Sequence, residues 1–555
     1  MHSQRSALPA LVLPLVIIAT AVLAYHGVFL LGHGTDSPWD QEMYRTLPLS
    51  TVAANPVYNR YPLWGLVVYP LVLAMPLWAA HTVVIAAHTL AAVLFFALLR
   101  AWRLPDITAA LAAITYLLWP AHAESLFWLS GGMFAFGALF LVAGALAYAH
   151  GRPLLAVPLL FGAMLFSEGL FFPTLLMVLV LLVHRRRIVE GISVGGTLVA
   201  LYALFQAVRY TAAGGRDFSP YGFSLERAGG HFREWSRMAF GLASSQDVAW
   251  MWMRAAPSQD SGLLLPPLYL ALALGFALGL TLLLLRGGRP ANPLPLPLFA
   301  SGMVICLAWF VASALIFLVV SRNDMQARYT TVAALAIAAA LALLVSPLLL
   351  QRSRALMLAG TLAATLLIGY PLYRAWSNVW VNGVPAHLLN QALIADMRAA
   401  AAQHPGKPIF VIDDPRAVGN AFALGREWGY VPTARQFVGP DVEANNEVAE
   451  GARQRADFGP GMLFSSRPCV FLGWRDGQRF ISQRVLANAT SLVMNCATGV
   501  VEQVGPTPPK DVFYFQNPSR YNLATMLGLP LETFIDPVAD PFDLNKRLRS
   551  RTTQP

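Results

Sequence analysis

Charged residues are scarce in this chain. Of its 555 residues, 12% are Asp, Glu, Lys or Arg and 56% are hydrophobic. An average soluble domain carries about 25% charged residues, so this composition excludes an ordinary soluble protein. Apolar runs at 8–31, 263–285 and 298–320 exceed the roughly 20 residues that a helix needs to cross a bilayer. We therefore expect a polytopic α-helical membrane protein.

Cysteine is also rare, with three copies, which excludes a disulfide-rich secreted scaffold. Cys306 lies inside an apolar run and is expected to pack as a small buried hydrophobe. Cys469 and Cys496 lie in a polar C-terminal part, where an oxidising compartment would allow a disulfide, although two cysteines alone do not establish one. No spacing of Cys and His typical of a zinc site is present.

Lysine occurs only three times, and arginine supplies nearly all of the positive charge behind a net charge of +10. Such a charge can indicate a nucleic-acid partner, but here the arginines form short clusters between apolar runs. This pattern is typical of cytoplasmic loops in membrane proteins, so we expect a lipid bilayer and no nucleic acid as partner. The clusters are Arg100 with Arg103, Arg152, Arg185 to Arg187, Arg286 with Arg289, and Arg352 with Arg354.

Placing the basic clusters on the cytoplasmic side determines one path for the chain. The proline-interrupted stretch at 62–79 is then interfacial or re-entrant, because a span there would move Arg100 and Arg103 outside. The loops expected outside are 32–61, 121–130, 211–262 and 321–328. The eleven expected spans are 8–31, 80–100, 106–120, 131–149, 153–167, 169–184, 188–210, 263–285, 297–320, 329–350 and 355–375.

The composition changes after Trp376. Asp, Asn, Pro and Gly become common, and an amphipathic stretch at 387–402 predicts a helix that short β-like runs follow. We therefore expect a transmembrane domain at 1–375 and a soluble α/β domain at 376–555. The expected strands are 409–412, 469–473, 491–494 and 512–515.

Three carboxylates stand in the first outer loop, on Asp36, Asp40 and Glu42. Acidic groups this close together beside a membrane can supply a general base or hold a divalent metal, which makes them the catalytic candidates. An ordinary solvated loop with Asp36 as a helix cap explains the same spacing.

Further polar residues are expected on the same side of the membrane. His81 and His88 are seven residues apart and so share one face of a helix, although a packing role explains His81 alone better than a ligand role. Polar residues at membrane depth are costly and are often functional. The others near outer loops are His122, Glu124, Glu168, Arg322 and Arg328.

The order of these residues resembles that in the GT-C superfamily of polytopic glycosyltransferases, above all the tetratricopeptide-containing transmembrane O-mannosyltransferases and their bacterial relatives. That group has an acidic first loop, an Arg-Pro-Leu element, a His-x-x-Asn-x-x-x-His helix, a His-Pro-x-His-x-Glu-x-x-x-Trp-x-Ser-Gly-Arg-x-Asp loop, a Lys-Glu turn and an Arg-Tyr-Leu-Pro element. The likeness covers about residues 1–350, and His122 to Gly131 is its most specific part. The counterparts are Asp36, Asp40 and Glu42; Arg60 to Leu63; His81 to His88; Trp119 to Gly131; Ser167-Glu168; and Arg328-Tyr329.

The resemblance implies transfer of a sugar from a polyprenyl-phosphate donor to an extracytoplasmic acceptor. Asp36 or Asp40 would be the base, and a divalent metal is compatible with this chemistry but not required. Arg328, with Arg322 or Arg60, would pair with phosphate oxygens. The other residues assigned to substrate binding are His81, His88, His122, Glu124, Glu168 and Tyr329.

The excess of arginine over lysine, with abundant alanine and leucine, is typical of GC-rich bacterial genomes. The expected location is therefore the bacterial inner membrane, with the C-terminal domain in the periplasm.

Two other classes of function remain open. Gly132-Met133-Phe134 replaces the Arg-x-Asp of the group, and Ser167 replaces its Lys, which favours a catalytically silent scaffold or partner in envelope glycan assembly. A transporter or flippase for lipid-linked glycans is the third interpretation. Transporters place ionisable residues near the bilayer midplane and contain repeated halves, whereas the ionisable residues here are expected in outer loops and no internal repeat is visible.

Overall fold

The chain divides into two units in a computed structural model. The first unit comprises residues 1–29 and 47–379, and the second comprises 30–46 and 380–555. The second unit therefore includes residues 32–46 of the first outer loop, which the expected domain boundary at 375/376 did not separate from the transmembrane part. The structure describes residues 8–32, 37–54, 61–185, 188–212, 225–242, 265–287, 295–318, 327–351, 353–403, 405, 409–411, 417–418, 421–422, 433–441, 444–445, 464–465, 470–475, 478–482, 493–495 and 500–502.

Helices dominate the described part of the chain. Short 3₁₀ helices connect several of them, at His26–Leu30, Pro120–His122, Leu129–Gly132, Glu168–Leu170 and Ala327–Thr330. The α-helices are α1 (Leu8–Tyr25), α2 (Ser37–Thr46), α3 (Leu49–Ala54), α4 (Tyr69–Leu73), α5 (Leu77–Ala101), α6 (Asp106–Leu118), α7 (Ala123–Phe127), α8 (Met133–Ala149), α9 (Pro153–Phe166), α10 (Phe171–Arg185), α11 (Ile188–Ala212), α12 (Leu225–Ala239), α13 (Pro267–Gly287), α14 (Leu296–Leu318), α15 (Ala333–Leu349), α16 (Arg354–Ser377) and α17 (Val384–Gln403).

The helices confirm an α-helical membrane protein. Among the described residues, seven helices are long and apolar enough to cross a bilayer. Shorter apolar helices occupy Leu63–Leu73, Asp106–Leu118, Pro153–Phe166, Glu168–Val183 and Ala333–Leu349. The long ones are Val12–Leu30, Leu77–Ala101, Leu129–Ala149, Ile188–Thr211, Pro267–Leu285, Leu296–Phe317 and Arg354–Trp380.

The segment at 62–79, expected to be interfacial or re-entrant, forms two short helical pieces. A π-helix at Leu63–Val68 continues into α4, and the helix ends before Pro76, after which α5 begins. Trp64 is buried and stacks on Tyr69 with ring centres 5.2 Å apart, while Val67 and Leu71 are exposed. Exposed apolar side chains on so short a helix suit contact with lipid.

The turn between α5 and α6 shows how local sequence ends one helix and starts the next. Arg103 adopts the left-handed conformation with φ 66°, which stops α5, and Pro105 precedes the first residue of α6. That residue, Asp106, is favoured at a helix N-terminus by the helix dipole. It also pairs with Arg100 across the turn at 2.7 Å.

Helix α6 lies at the centre of the first unit. Every residue from Ile107 to Leu118 is buried, and the helix packs against α1, α5, α15 and α16. Because lipid offers no hydrophobic gain for pairing helices, membrane helices associate through close packing of small residues. The alanines of α6 and α15 supply such residues, which explains why a helix without any polar face takes the central position.

Short strands lie in the second unit, named β1 to β9 in chain order. The largest sheet has the order β4-β1-β6-β7, in which β1 is parallel to β4 and β6 and β7 is antiparallel to β6. The expected strand at 512–515 lies outside the described residues, and a complete α/β domain stays a prediction. The strands are Ile409–Val411, Ala417–Val418, Ala421–Phe422, Ala444–Asn445, Phe464–Ser465, Val470–Arg475, Gln478–Ser482, Val493–Asn495 and Val500–Glu502.

Replacing Gly360 tests the close contact between α15 and α16. A Cβ at this position would lie 2.6 Å from the backbone nitrogen of Leu349, and backbone cannot move aside cheaply. We expect Gly360→Ala to lower the free energy of unfolding by about 1–3 kcal/mol through overpacking. The matched control is Gly279→Ala, because nothing lies within 4 Å of that Cβ and alanine favours a helix. Thermal unfolding of the purified protein would contradict the packing if both variants behaved alike.

Candidate functional site

The turn Ala327–Thr330 carries Arg328 and is surrounded by parts of the chain that are distant in sequence. It contacts the turn Pro120–His122, α7 and α12. The sequence placed the corresponding loops on one side of the membrane, and the structure brings these particular elements into contact. Arg328 and Glu124, both expected to bind substrate, are thereby neighbours.

Two side chains of α7 hold the backbone of this turn. The backbone N–H of Arg328 donates to Oε2 of Glu124 at 3.3 Å. Thr331 donates its hydroxyl to the Arg328 carbonyl at 2.9 Å, and Ser125 Oγ lies 2.7 Å from Thr331 Oγ1. Since the single Thr331 hydroxyl hydrogen is already donated, Ser125 is the donor of that second bond.

The guanidinium group of Arg328 is seated on an aromatic ring. Its central carbon lies 4.1 Å from the centre of the Trp128 ring, a cation–π geometry that favours a desolvated cation. The Nε and Nη1 atoms are buried and have no hydrogen-bond partner among the described residues. Burying such donors without an acceptor is costly, so the position is suited to an anion.

Aromatic side chains form a wall beside Arg328. Tyr329 stacks on Phe317 with ring centres 4.8 Å apart, and Phe134 meets Tyr329 edge to face at 5.6 Å. Phe134 occupies the position at which the resembling group has an acid, so in this chain that position packs and carries no charge.

The segment Trp128 to Gly131 turns sharply beneath this wall. A Cβ on Gly131 would lie 2.6 Å from the backbone oxygen of Glu124, which real Cβ atoms do not tolerate. Glycine is therefore required here so that α7 and α8 can approach, and this approach positions both Glu124 and Trp128.

His88 and His122 come together in the interior and complete the end of α6. Nε2 of His88 lies 3.1 Å from the Leu117 carbonyl, and Nε2 of His122 lies 2.7 Å from the Tyr116 carbonyl. Tyr25 donates to the same Leu117 carbonyl at 2.5 Å. The last carbonyls of a helix lack intrahelical partners; these side chains bond the Leu117 carbonyl and add a second donor to the Tyr116 carbonyl, which also accepts the backbone N–H of Trp119 at 3.2 Å.

The hydrogen bonds assign the same tautomer to both imidazoles. Because carbonyl oxygens only accept, each Nε2 carries a hydrogen, which leaves Nδ1 unprotonated in the neutral ring. The ring centres are 4.4 Å apart, and neither Nδ1 has a partner among the described residues. Burial, and secondly the imidazole of His88, hold the pKa of His122 well below its usual value, against a smaller opposing effect of the Tyr116 carbonyl.

Glu168 pairs with an arginine that the sequence did not indicate as functional. Nη1 of Arg209 donates to Glu168 Oε1 at 2.7 Å, and the side chains are 15% and 5% exposed, respectively. Nη1 also reaches Gln206, which in turn bonds Tyr202. The Glu168 turn packs against α14. The sequence carried a signal for Arg209, because it is an ionisable residue within a predominantly apolar span.

The acidic first loop belongs to the second unit. Asp40 is buried in α2, and Glu42 forms an ion pair with Arg435 at 3.1 Å. Burial, and to a smaller extent the Asp40 carboxylate, raise the pKa of Tyr44, so its hydroxyl stays protonated at neutral pH. Nothing in the sequence pattern indicated the pairing of Glu42 with residue 435.

The remaining candidate residues are either buried or outside the described part of the chain. His81 is fully buried in α5. Asp36, Arg60 and Arg322 lie outside the described residues, as do Cys469 and Cys496, while Cys306 is buried as expected. Within the described part of the chain, no cluster of three or more His, Cys, Asp or Glu side chains suits a metal ion.

No protein-family model and no curated protein sequence matches this chain.

Substitution of His122 tests its role as a neutral donor to α6. The pKa in the unfolded chain is about 6.5, and the folded value is lower. Below about pH 6.5 the unfolded state therefore binds a proton that the folded state does not. As the pH is lowered through this range, the free energy of unfolding decreases by at most about 1.4 kcal/mol per pH unit. His122→Gln keeps a donor that does not titrate, so we expect a shallower loss of stability in thermal unfolding between about pH 7 and about pH 5.

His122→Phe serves as the comparison, because it removes the side-chain donor to the Tyr116 carbonyl and leaves only the backbone N–H of Trp119. At about pH 7 it should be less stable than the wild type by about 0.5–1.5 kcal/mol, the usual contribution of one hydrogen bond. Parallel pH profiles of the wild type and His122→Gln would contradict the assignment.

The Glu168–Arg209 pair predicts strong coupling. Removing either partner leaves a buried charge, so Glu168→Gln and Arg209→Gln should each cost about 3–5 kcal/mol of unfolding free energy, and the double variant less than their sum. The half-exposed Arg100–Asp106 pair provides the control, because Asp106→Asn should cost about 1 kcal/mol or less. Additive losses in chemical denaturation would show that the pair is not coupled.

Proposed function

We propose that this chain is a membrane glycosyltransferase of the GT-C type, which moves a sugar from a polyprenyl-phosphate donor to an extracytoplasmic acceptor. The observation that carries the proposal is the seat of Arg328. Two buried guanidinium donors without a partner among the described residues lie above the Trp128 ring, in a turn that other loops hold in place.

A phosphate group, the anion of the proposed donor, suits this arrangement. The Nε–H and one Nη–H of a guanidinium form a fork that matches two phosphate oxygens. Contact with the Trp128 ring restricts the guanidinium to one orientation, so little side-chain entropy is lost on binding. Glu124 bonds the backbone of the turn and orders it.

The topology that the proposal uses is the eleven-span path with basic clusters inside. The turns at Pro120–His122 and Ala327–Thr330 then face the non-cytoplasmic side, where a lipid-linked donor presents its headgroup. For a bacterial protein that side is the periplasm, and the C-terminal region, proposed as an α/β domain, would lie there as well. Val67 and Leu71 on the segment 63–73 would contact the polyprenyl tail.

The proposed reaction forms a bond between the acceptor oxygen and the anomeric carbon and breaks the bond from that carbon to the phosphate oxygen. The leaving phosphate keeps the electron pair, and Arg328 neutralises the charge that develops. A base takes the acceptor proton. Asp36, Asp40 and Glu42 keep this role as sequence-based candidates, with a divalent metal as a permitted addition.

A catalytically silent scaffold is the second candidate, and one observation favours it. Phe134 fills the position of an expected acid with a buried ring that packs on Tyr329. A protein that binds a lipid-linked sugar without transferring it would retain Arg328 and dispense with that acid.

The test is transfer of labelled sugar from polyprenyl-phosphate donors by the purified chain in nanodiscs. Arg328→Ala should lower turnover by at least about 100-fold, the usual effect of losing a donor to developing charge. Arg328→Lys should recover part of it, because lysine keeps the charge but not the fork. Asp40→Asn should abolish transfer if this carboxylate is the base.

Arg152→Gln is the matched control, since Arg152 is an exposed arginine in the turn between α8 and α9. Full turnover by Arg328→Ala would remove the phosphate assignment. If the wild type binds donors but transfers no sugar, the scaffold interpretation would replace the proposal that the chain is an enzyme.

A further inference from the structure

Helix α12 differs from every neighbouring helix because only one of its faces is apolar. His231, Trp235, Met238 and Ala239 are buried, and Trp235 meets Phe310 of α14 edge to face at 4.9 Å. This stripe follows helical spacing and attaches α12 to the first unit.

The opposite face of α12 is open and basic. The side chains of Arg233 and Arg237 are 76% and 47% exposed. Leu242, just after the helix, is exposed, and Phe232 and Phe240 lie at the edge of the buried face, partly exposed and packed against Phe310 of α14. Cations beside exposed aromatic and aliphatic side chains are typical of helices that lie in the interface of a bilayer.

The neighbours of α12 place it at that interface. The candidate spans Ile188–Thr211 and Pro267–Leu285 precede and follow it, so the chain leaves the bilayer and enters it again around α12. A helix with one polar face is too polar to cross the bilayer. Because it lies between two spans and is amphipathic, it suits a position in the interface of the membrane.

The charges that face Arg233 and Arg237 do not compete strongly with an anionic surface. Glu234 pairs with Arg237 at 3.1 Å and with Arg233 at 3.5 Å. Exposed ion pairs of this kind are weak and are screened by salt. Phosphate groups in a lipid surface can therefore replace the Glu234 carboxylate as partner of either guanidinium.

The end of α12 is joined to the Arg328 region. The indole N–H of Trp119 donates to the carbonyl of Ala239 at 2.6 Å, and α12 also contacts the turn Ala327–Thr330. Helix α12 is thus in direct contact with the turn that carries Arg328 and is hydrogen-bonded to the residue before the turn Pro120–His122.

We propose that α12 is a docking surface for anionic phospholipid headgroups, with Arg233 and Arg237 bound to their phosphates and Phe232, Phe240 and Leu242 inserted among the acyl chains. Headgroup binding orders the Ala327–Thr330 turn through Ala239 and Trp119. This inference does not depend on sugar transfer.

Amide hydrogen exchange in nanodiscs tests it without any activity measurement. The full chain is compared in phosphatidylcholine and in phosphatidylcholine with phosphatidylglycerol. We expect slower exchange at 229–242 and 327–332 when phosphatidylglycerol is present. Arg233→Gln with Arg237→Gln should remove roughly 30-fold of that protection, the effect of two arginines at an anionic surface.

Two controls make the outcome specific. Arg152→Gln removes an exposed arginine elsewhere and should leave the protection unchanged. Inorganic phosphate added to phosphatidylcholine nanodiscs should not change the exchange rates. Equal protection by inorganic phosphate would contradict a lipid docking surface and indicate a site for a soluble anion. Exchange that is the same in both lipid compositions would overturn the proposal, and protection of α12 alone would overturn its link to Arg328.

Discussion

A helix that ends inside a membrane protein leaves its last carbonyl oxygens without partners, because the bilayer core holds no water to bond them. At the end of α6, Tyr25 and His88 donate to the Leu117 carbonyl, and His122 donates to the Tyr116 carbonyl beside the backbone N–H of Trp119. These bonds join α1, α5 and the following turn at one point. The chain then continues from the central helix into α7, and the position of α7 brings Glu124 and Ser125 to the turn that carries Arg328.

The Arg328 seat is built from contacts that would be worth little separately. Glu124 and the Ser125–Thr331 pair order the backbone of the turn, and Trp128 offers a ring to the guanidinium. Together they hold a cation with buried donors ready for an anion, at a low cost in entropy when it binds. Electrostatic stabilisation of this preorganised kind is usually the largest contribution to catalysis of a reaction in which charge develops.

The sequence was sufficient for the membrane class and for the long apolar helices, because long apolar runs have few alternatives to a helix in a bilayer. It also named Glu124 and Arg328 as candidates, which the structure makes neighbours. It was insufficient where partners come from distant segments. The donor bonds of His88 and His122 to α6 depend on how three elements meet, and the pairing of Glu168 with Arg209 depends on the packing of α11. A pattern along the chain contains neither distance.

The most direct measurement is binding of a polyprenyl phosphate compared with the matching polyprenol, by the purified chain and by Arg328→Ala. The two ligands differ only in the phosphate. If Arg328 holds that group, the wild type binds the phosphate at least about 10-fold more tightly than the alcohol, and the variant loses that preference because a forked, charged contact is gone. Equal preference in wild type and variant would contradict a phosphate site at Arg328.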